Sequence, residues 1–293
     1  MEEPFAHTLK DGALLCSFCP RRCRLPLNQV GRCGALACDA CGLRLTRPPG
    51  AFRLRTVAPE QSGLILLPKD RIVLEVESGG SGLESRPLEP LGENDARFTP
   101  EQVVFVARAW DAGAVHLVSD DPVFGVAEGH EIVAHARAAG LKTAVTTTGF
   151  LLPMAREIVL DGVDIVNLKI WSTSPTFYAR RFGARVEPVL STVEWLGTRR
   201  GFLFEATIPL VPDENDAPFE IERLAHWISR TLGPKVPIHF DAGVPGVSEE
   251  AIAHAVEIAR SAGFRAVAKA SAPRPPQRQR PRPPRALVRE ATA

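Results

Sequence analysis

Cysteine is absent from the whole chain after Cys41, although six cysteines lie within residues 16–41 of this 293-residue protein. This absence excludes a thiolate metal site or a disulfide bond within the larger part of the sequence. Clustered cysteines in a reducing cytosol bind metal or carry out redox chemistry more often than they form structural disulfides. The distribution therefore indicates a single thiolate-rich site near the N-terminus.

The chain also lacks strong net charge and long apolar segments. A net charge of +1 gives no electrostatic reason for the molecule as a whole to bind nucleic acid or a membrane. No apolar run reaches the ~20 residues that a membrane-spanning helix needs, and residues 1–12 lack the basic start and apolar stretch of a signal peptide. With 45% hydrophobic and 24% charged residues, the composition is typical of a soluble globular protein, and we expect a cytoplasmic one with no membrane partner.

Composition divides the chain into three zones. Residues 1–50 are cysteine-rich, residues 51–270 carry the regular strand and helix patterns, and residues 271–293 form a tail with six prolines and six arginines. Such a tail cannot bury enough apolar surface to fold, and we expect it to be disordered. It is the one segment that could contact RNA or an acidic partner; the alternative is a solvated tail without a role.

The middle zone alternates between strand-like and helix-like patterns. The pattern predicts strands near 71–76, 114–119, 142–147, 163–169, 202–209, 236–240 and 266–269. It predicts helices near 126–139, 153–161, 188–199, 217–232 and 248–262, and a further helix that begins after Thr99, with Gln102 completing a capping box. Left-handed turns are expected where glycine lies between a helix and the next strand, at Gly113, Gly140, Gly162, Gly201, Gly233 and Gly263.

This alternation predicts the α/β fold class. Strands and helices at such a spacing imply right-handed crossovers and a parallel sheet. Six or so units can form either a partial (βα)6 barrel or an open doubly wound sheet, and the periodicity does not separate the two. In both architectures, ligands bind at the carboxyl ends of the strands.

The cysteine spacing predicts a metal centre. The six residues follow the pattern Cys16-x2-Cys19-x3-Cys23-x9-Cys33-x4-Cys38-x2-Cys41. A CxxC pair in a tight turn places two sulfurs within reach of one ion, and thiolates are ligands for both zinc and iron–sulfur clusters. Neighbouring arginines, at 21, 22, 24 and 32, would offset the charge of four thiolates. Disulfides or simply buried thiols are the structural alternatives.

Several segments resemble a known family. Residues 16–25 and 29–34 look like the N-terminus of the radical-SAM protein of the AmmeMemoRadiSam gene set, a family related to the enzyme that activates pyruvate formate-lyase. Collinear likenesses continue at 147–150, 167–169, 177–183, 188–190, 210–216 and 237–239. The resemblance implies a partial (βα)6 barrel, and it favours Cys16, Cys19, Cys23 and Cys33 as the metal ligands, with Cys38 and Cys41 as extra thiols.

The motif that carries the family's chemistry is missing. In the family, a CxxxCxxC loop after the first barrel strand binds a four-iron cluster that chelates and reductively cleaves S-adenosylmethionine. Here the corresponding segment, residues 78–87, contains no cysteine. Its oxygen donors, Glu84 and Ser85, are too hard to replace three thiolates at iron. We therefore expect reductive cleavage by the usual route to be absent.

Other family positions have changed as well. Asp121 stands where the family has a glutamate, Asn167 where it has an aspartate, and Thr148 where it has an asparagine. The family's arginine after the sixth strand is replaced near Asp241. We take Asp121, Asn167 and Lys169 as candidate contacts to a cofactor such as S-adenosylmethionine.

Three residues at predicted strand ends are weak catalytic candidates. Asp121, next to Asp120, could bind a cation or serve as an acid or base, or it could simply form a turn before proline. Lys169 could meet an anionic ligand or be solvated, and His239 could be catalytic or a satisfied core histidine. The glycines at 79–82 could cradle an anion, or form a flexible loop in place of the missing cluster.

These features lead to two hypotheses for the function, a binding protein without catalysis and an active enzyme. The first is a degenerate radical-SAM protein that keeps a zinc or iron–sulfur site and acts by binding a small ligand or a protein partner. The alternative is an active enzyme that uses Cys16, Cys19 and Cys23, whose spacing is the radical motif reversed, to hold a 4Fe-4S cluster. The alternative requires these cysteines to lie near the carboxyl ends of the barrel strands.

Overall fold

The N-terminal cysteine zone folds into small antiparallel sheets. A computed structural model describes residues 5–46, 50–77, 83, 97–118, 128–241, 246–264 and 267–270. One sheet has three strands, and a hairpin forms a second sheet. Their strands are β1 (Ala6–Thr8), β2 (Leu14–Cys16), β3 (Arg24–Leu25), β4 (Leu36–Asp39) and β5 (Gly42–Leu45). We call residues 5–46 the cysteine segment.

The remainder of the described chain is built on one 8-stranded sheet, in the order β13-β12-β11-β10-β9-β8-β7-β6. The first strand, β6, is antiparallel to its neighbour, and the other strands run parallel. The strands are β6 (Arg53–Val57), β7 (Val73–Glu77), β8 (Ala114–Val118), β9 (Lys142–Thr147), β10 (Ile165–Lys169), β11 (Leu203–Pro209), β12 (Ile238–Asp241) and β13 (Val267–Ala270).

Helices connect the parallel strands, as the alternation predicts. They are α1 (Pro100–Ala109), α2 (Glu128–Ala138), α3 (Pro153–Val159), α4 (Pro175–Phe182), α5 (Glu187–Gly197), α6 (Pro218–Leu232) and α7 (Glu249–Ser261). The fold is a partial (βα)6-type barrel, which resolves the choice between barrel and open sheet that periodicity left undecided.

The sheet is curved, because the connection between β6 and β7 at one side of it contacts the distant strand β11. The connection from β6 to β7 donates the backbone N–H groups of Ile65 and Leu66 to Glu205 in β11, at 2.9 and 2.6 Å. Leu64 and Leu67 of the same connection pack with inward residues near the amino ends of β7 to β10, among them Val73. This apolar layer forms the floor of the barrel, because buried apolar side chains exclude water from that end.

The helix that begins after Thr99 has the predicted capping box. The Thr99 side chain accepts from the Gln102 N–H at 3.3 Å, and the Gln102 side chain accepts from the Thr99 N–H at 2.9 Å. The left-handed turn expected at Gly113 is instead at Asp111, whose φ is 52°. Glycine is needed at 113 for space, because a Cβ there would lie 2.9 Å from the Cβ of Arg71.

Helix α4 was not predicted from the sequence. Its start is capped by the Ser174 hydroxyl, which accepts from the Phe177 N–H at 3.3 Å, and Pro175 occupies the first turn. Gly183 ends it with a φ of 53°. These are the ordinary start and stop signals of a helix, but only Phe177 and Tyr178 of the segment are buried, so its apolar period is weak.

The cysteine segment and the barrel share one apolar core, in which Leu14, Phe18 and Leu25 belong to the same buried cluster as Phe150 and Leu168. The domain boundaries that composition predicts at residues 50 and 270 therefore stay predictions. The tail at 271–293 lies outside the described residues. Among the helices that the structure describes, none combines the length and apolarity needed to cross a bilayer.

Candidate functional site

The hairpin of β2 and β3 brings two of the predicted ligands side by side. The Cys16 N–H donates to the Cys23 carbonyl at 2.9 Å. Between them, the Arg22 N–H donates to the Cys19 carbonyl at 3.1 Å, and Arg22 adopts a left-handed φ of 44°. This turn lies in the Cys19-x3-Cys23 segment of the hairpin, and the turn expected for the Cys16-x2-Cys19 motif stays a prediction.

Cys33 joins the same region from a separate loop. The sulfurs of Cys23 and Cys33 both lie 3.8 Å from the position that a Cβ on Gly31 would occupy. The Ala35 N–H donates to the Cys33 Sγ at 3.4 Å, an interaction that also suits a thiolate. Burial raises the pKa of the Cys16 thiol to about 11, against a lowering by the Phe18 backbone, and the proximity of Cys33 and Cys23 adds to the increase.

Cys38 and Cys41 lie on the β4–β5 hairpin. Cys38 is buried, and its thiol donates to the Asp39 carbonyl at 3.6 Å; Cys41 is exposed. None of the six cysteines, all of which are described, forms a disulfide. Within the described ranges, no three His, Cys, Asp or Glu side chains are arranged as a group that could hold a metal ion.

The donor chemistry nevertheless suits a soft metal. Cys16, Cys23 and Cys33 are neighbours, and their thiols have the ligand type that zinc and iron–sulfur clusters take. A buried thiol with a raised pKa remains protonated unless a cation compensates its charge. The metal centre at Cys16, Cys19, Cys23 and Cys33 therefore stays a prediction, and closing it would need the sulfurs to move together.

The cysteine segment lies at the carboxyl ends of the barrel strands, which we call the mouth. The Leu152 N–H, in the loop after β9, donates to the Phe18 carbonyl at 3.1 Å. The Arg21 guanidinium donates to three backbone carbonyls: Gly183 at 2.6 Å, Phe182 at 2.5 Å and Leu83 at 2.8 Å. These acceptors follow β7 and α4, so one arginine ties the cysteine segment to loops from different strands.

The loop after β9 is shaped by two threonines. The Gly149 N–H donates to the Thr147 hydroxyl at 3.1 Å, and the Phe150 N–H donates to the Thr148 hydroxyl at 3.2 Å. Gly149 has a φ of 74°, which favours glycine. These short turns present the Phe150 ring to Arg21, whose guanidinium carbon lies 5.6 Å from the ring centre.

Asn215 fixes the loops after β10 and β11. Its side-chain oxygen accepts from the Val211 N–H at 2.6 Å, and its amide donates to the carbonyls of Trp171 at 2.7 Å and Pro209 at 2.9 Å. Asn215 is buried, so its polar atoms need these partners. This member of the 210–216 likeness therefore has a positioning role.

A polar network crosses the inside of the barrel between β8 and β11. The Asn167 amide donates to the Thr146 hydroxyl at 3.2 Å, and the Thr207 hydroxyl donates to the Asn167 side-chain oxygen at 2.9 Å. The same Thr146 hydroxyl shares a hydrogen bond of 2.8 Å with His116 Nε2. Asn167 is thus held in one orientation at the centre of the sheet.

His239 is paired with a carboxylate that the sequence analysis did not identify. Its Nε2 lies 2.5 Å from Glu205 Oε2, and both side chains are buried. The Glu205 carboxylate also accepts the Ile65 and Leu66 N–H groups described above. Four polar groups therefore converge inside a barrel whose floor is apolar, an arrangement that requires mutual hydrogen bonding.

A second carboxylate faces the barrel interior from β7. The Glu75 carboxylate accepts from Arg55 Nε and Nη2 at 2.9 and 2.5 Å, and its other oxygen lies 4.0 Å from His116 Nδ1. Burial raises the pKa of Glu75, and the Arg55 guanidinium opposes that increase. Burial lowers the pKa of His116 to about 3, so its imidazole is neutral at physiological pH.

The residues predicted to lie at strand ends have different surroundings in the structure. His239 and Asn167 point into the barrel networks, whereas the Lys169 ammonium lies 5.2 Å from the centre of the Trp171 ring at the end of β10. Asp121, Asp120, Glu84 and Ser85 lie outside the described residues, as does the rest of the 79–87 loop except Leu83. No role was predicted for His116, and Glu75, Glu205 and Arg55 were not predicted site residues.

Comparisons with known proteins show the fold. No protein-family profile matches the chain. An uncharacterized protein of Methanocaldococcus jannaschii is 24% identical over 248 residues, which is 82% of this chain and 73% of that protein. A radical SAM methyltransferase from Sphaerobacter thermophilus aligns with a TM-score of 0.54 and 14% identity, over 78% of this chain and 71% of that chain.

A second solved structure agrees with this result. Archaeal TYW1 aligns with a TM-score of 0.50 and 10% identity, over 74% of this chain and 85% of that chain. The chain therefore shares its fold with these two solved structures, and a cysteine-rich segment precedes the barrel. At these identities the likeness concerns the arrangement of strands and helices, and the chemistry has to be argued from this chain's own residues.

Proposed function

We propose that this chain is a degenerate radical-SAM protein that binds a small ligand, such as S-adenosylmethionine, at the barrel mouth and does not cleave it reductively. The observation that carries this proposal is the polar network around Asn167, which lies inside the barrel two residues before the carboxyl end of β10, the end at which such folds bind ligands. The absence of cysteine from residues 78–87 argues against cleavage.

The residues of the mouth have separate tasks in this proposal. Asn167, held by Thr146 and Thr207, offers polar atoms of fixed orientation, which favours recognition over catalysis. The half-buried Lys169 ammonium can meet a ligand carboxylate. The buried pair of His239 and Glu205 fixes the connection from β6 to β7 beneath the ligand site. In this proposal the pair supports the site and takes no part in a reaction.

The cysteine segment has a structural task in the same proposal. A metal bound by Cys16, Cys19, Cys23 and Cys33, either zinc or an iron–sulfur cluster, would cross-link the β2–β3 hairpin to the loop that carries Cys33. A segment of about 40 residues has too small a core to be stable without such a link or a docking surface. A reducing cytoplasm, our proposed location, would keep the thiols available to the metal.

Equilibrium binding tests the proposal directly. S-adenosylmethionine should bind the purified chain, and Asn167→Ala and Lys169→Met should each weaken the binding by about tenfold, because each removes a polar contact to the ligand. Lys142→Met is the matched control, since Lys142 lies exposed at the amino end of β9 and pairs with Asp164. Absence of binding to the wild-type chain would refute the ligand assignment.

The position of the cysteine segment favours a second candidate. Arg21 and Phe18 bond to loops that follow β7, β9 and α4, so the cysteines lie at the mouth, where the radical chemistry of this fold takes place. An active enzyme could hold a 4Fe-4S cluster on Cys16, Cys19 and Cys23; such a cluster, when reduced, supplies the electron that cleaves the sulfonium. Anaerobic reconstitution with iron and sulfide separates the two candidates, because a bound cluster that S-adenosylmethionine perturbs spectroscopically supports the second.

A further inference from the structure

An arginine-rich cavity lies between the cysteine segment and the outer helices of the barrel. Its volume is about 870 Å³, and its walls come from β3 and the turns beside it, from α3 and from the start of α5. Six arginines and one glutamate line it: Arg21, Arg22, Arg24, Arg32, Arg156, Arg185 and Glu187. A volume of this size is typical of small-molecule sites.

The lining charges are only partly compensated. Arg24 pairs with Asp11, and Arg185 pairs with Glu187 at 3.2 Å. In the part of the chain that the structure describes, no carboxylate forms an ion pair with Arg22, Arg32 or Arg156. The cavity therefore carries net positive charge in a concave surface, where a low-dielectric wall strengthens the attraction for an anion.

Arg156, at the wall of this cavity, is held in a fixed position by the outer helices. It leaves only 9% of its surface exposed, and its Nε is buried without a hydrogen-bond partner in the described structure. Its Nη1 donates to the Ser191 carbonyl at 3.2 Å, and its guanidinium carbon lies 4.8 Å from the centre of the Trp195 ring. The contacts with Ser191 and Trp195 hold this guanidinium in one orientation at the cavity wall, which prepares it to bind an anion.

We propose that this cavity binds a small phosphorylated molecule, with Arg156, Arg32 and Arg22 around its phosphate groups. Guanidinium groups bind carboxylates and phosphates alike with two parallel hydrogen bonds, and the net positive charge of the cavity favours the more highly charged phosphate. The concave shape favours a compact ligand over a nucleic-acid strand.

The thiolates of a metal centre do not account for this charge. Arg21, Arg22, Arg24 and Arg32 belong to the cysteine segment and could offset thiolate charge, and Cys23 itself lines the cavity. Arg156 and Arg185, however, come from α3 and the turn before α5, and the metal prediction assigns them no task. The phosphate site is also separate from the proposed ligand site inside the barrel, so either proposal can fail alone.

Calorimetry with pyrophosphate and with ATP, both without divalent metal, tests the proposal on the full chain. We expect both to bind the wild-type protein, and we expect Arg156→Gln and Arg32→Gln each to weaken binding by about tenfold. Arg108→Gln, an exposed position on α1, should leave binding unchanged. Arg32 is exposed, so the Arg32→Gln variant keeps the test valid if the buried Arg156→Gln variant fails to fold.

Three results would overturn the phosphate site. They are no binding of either probe at millimolar concentration, an equal loss of binding in Arg108→Gln, and binding of single-stranded RNA in place of both small probes. A fourth test repeats the binding measurement on protein loaded with zinc. Retained binding supports the site, and loss of binding on loading contradicts it, because the arginines would then serve the thiolates. S-adenosylmethionine binding, measured in the same variants, should not change.

Discussion

The imidazole of His239 and the carboxylate of Glu205 lie 2.5 Å apart inside the barrel, with both side chains buried. The same carboxylate accepts two backbone N–H groups from the connection between β6 and β7. Glu205 therefore holds together three parts of the chain that are distant in sequence, and it does so beneath the ligand site that we propose.

Glu205→Ala should destabilise the fold strongly. The change leaves His239 and the Ile65 and Leu66 N–H groups buried without their acceptor, and each buried donor left unsatisfied costs about 1–3 kcal/mol. Urea unfolding followed by circular dichroism measures this loss. Glu194→Ala, at an exposed position on α5, is the control, and an equal loss in both variants would contradict the role of Glu205.

Stability should fall with decreasing pH because His116 is buried in its neutral form. Its pKa is about 3 in the folded chain, against 6.5 as its ordinary value. The unfolded state therefore binds more protons between these values, and stability present above pH 6.5 is lost toward pH 3, at up to about 1.4 kcal/mol per pH unit. The raised pKa of Glu75 acts in the opposite sense, since stability from that group is lost as pH rises above its ordinary pKa of 4.5.

The contribution of His116 can be isolated by difference. In His116→Gln, the unfolding free energy should depend less on pH between 4 and 6.5 than in the wild-type chain, because the amide does not titrate. His254→Gln, at an exposed position on α7, should retain the wild-type dependence. Parallel pH profiles for His116→Gln and the wild-type chain would show that another group is responsible.

Arg21 should be the anchor of the cysteine segment. Arg21→Met removes the donors to Gly183, Phe182 and Leu83, and we expect faster amide hydrogen exchange at residues 16–33 with little change in β9 to β11. Arg44→Met is the control, since Arg44 lies exposed on the β4–β5 hairpin and pairs with Asp39. Unchanged exchange in Arg21→Met would indicate that apolar packing alone holds the segment.

The metal ligands can be assigned by single substitutions. Serine at Cys16, Cys23 or Cys33 should remove most of the bound metal, since these thiols are neighbours, and should lower the melting temperature because metal binding contributes to folding. Cys41→Ser should keep wild-type metal content, measured by mass spectrometry of the metal per chain. Equal losses in Cys41→Ser and Cys33→Ser would show that the β4–β5 hairpin also supplies a ligand.

From β7 onward, the order of strands and helices could be predicted from sequence, apart from α4, because the other helices have an apolar period. The strands β1 to β6 were not predicted. The Thr99 cap was predicted down to its hydrogen bonds. The direction in which strand residues face could not be predicted, because parallel strands are buried on both sides and show little alternation. Glu75, His116 and Glu205 therefore remained unassigned, although charged residues inside otherwise apolar strands are the signal that could have identified them.

The position of the cysteine segment also could not be predicted. It depends on Arg21 and Leu152, which bond to backbone carbonyls, and a carbonyl acceptor leaves no trace in the sequence. Helix α4 was missed because only Phe177 and Tyr178 of its residues are buried, which leaves a weak apolar period, although Ser174 and Gly183 mark its ends. The site is thus determined by contacts between distant segments more than by any one motif.

Anaerobic reconstitution tests the central claim most directly. The chain is incubated with iron and sulfide, reduced in the presence of S-adenosylmethionine, and assayed for 5′-deoxyadenosine by chromatography, with a Cys16→Ser variant treated in parallel. We expect S-adenosylmethionine to bind without cleavage, so that wild-type and variant release the same background amount. Release of 5′-deoxyadenosine in at least stoichiometric amounts by the wild-type chain alone would contradict the account and establish the relocated cysteines as catalytic.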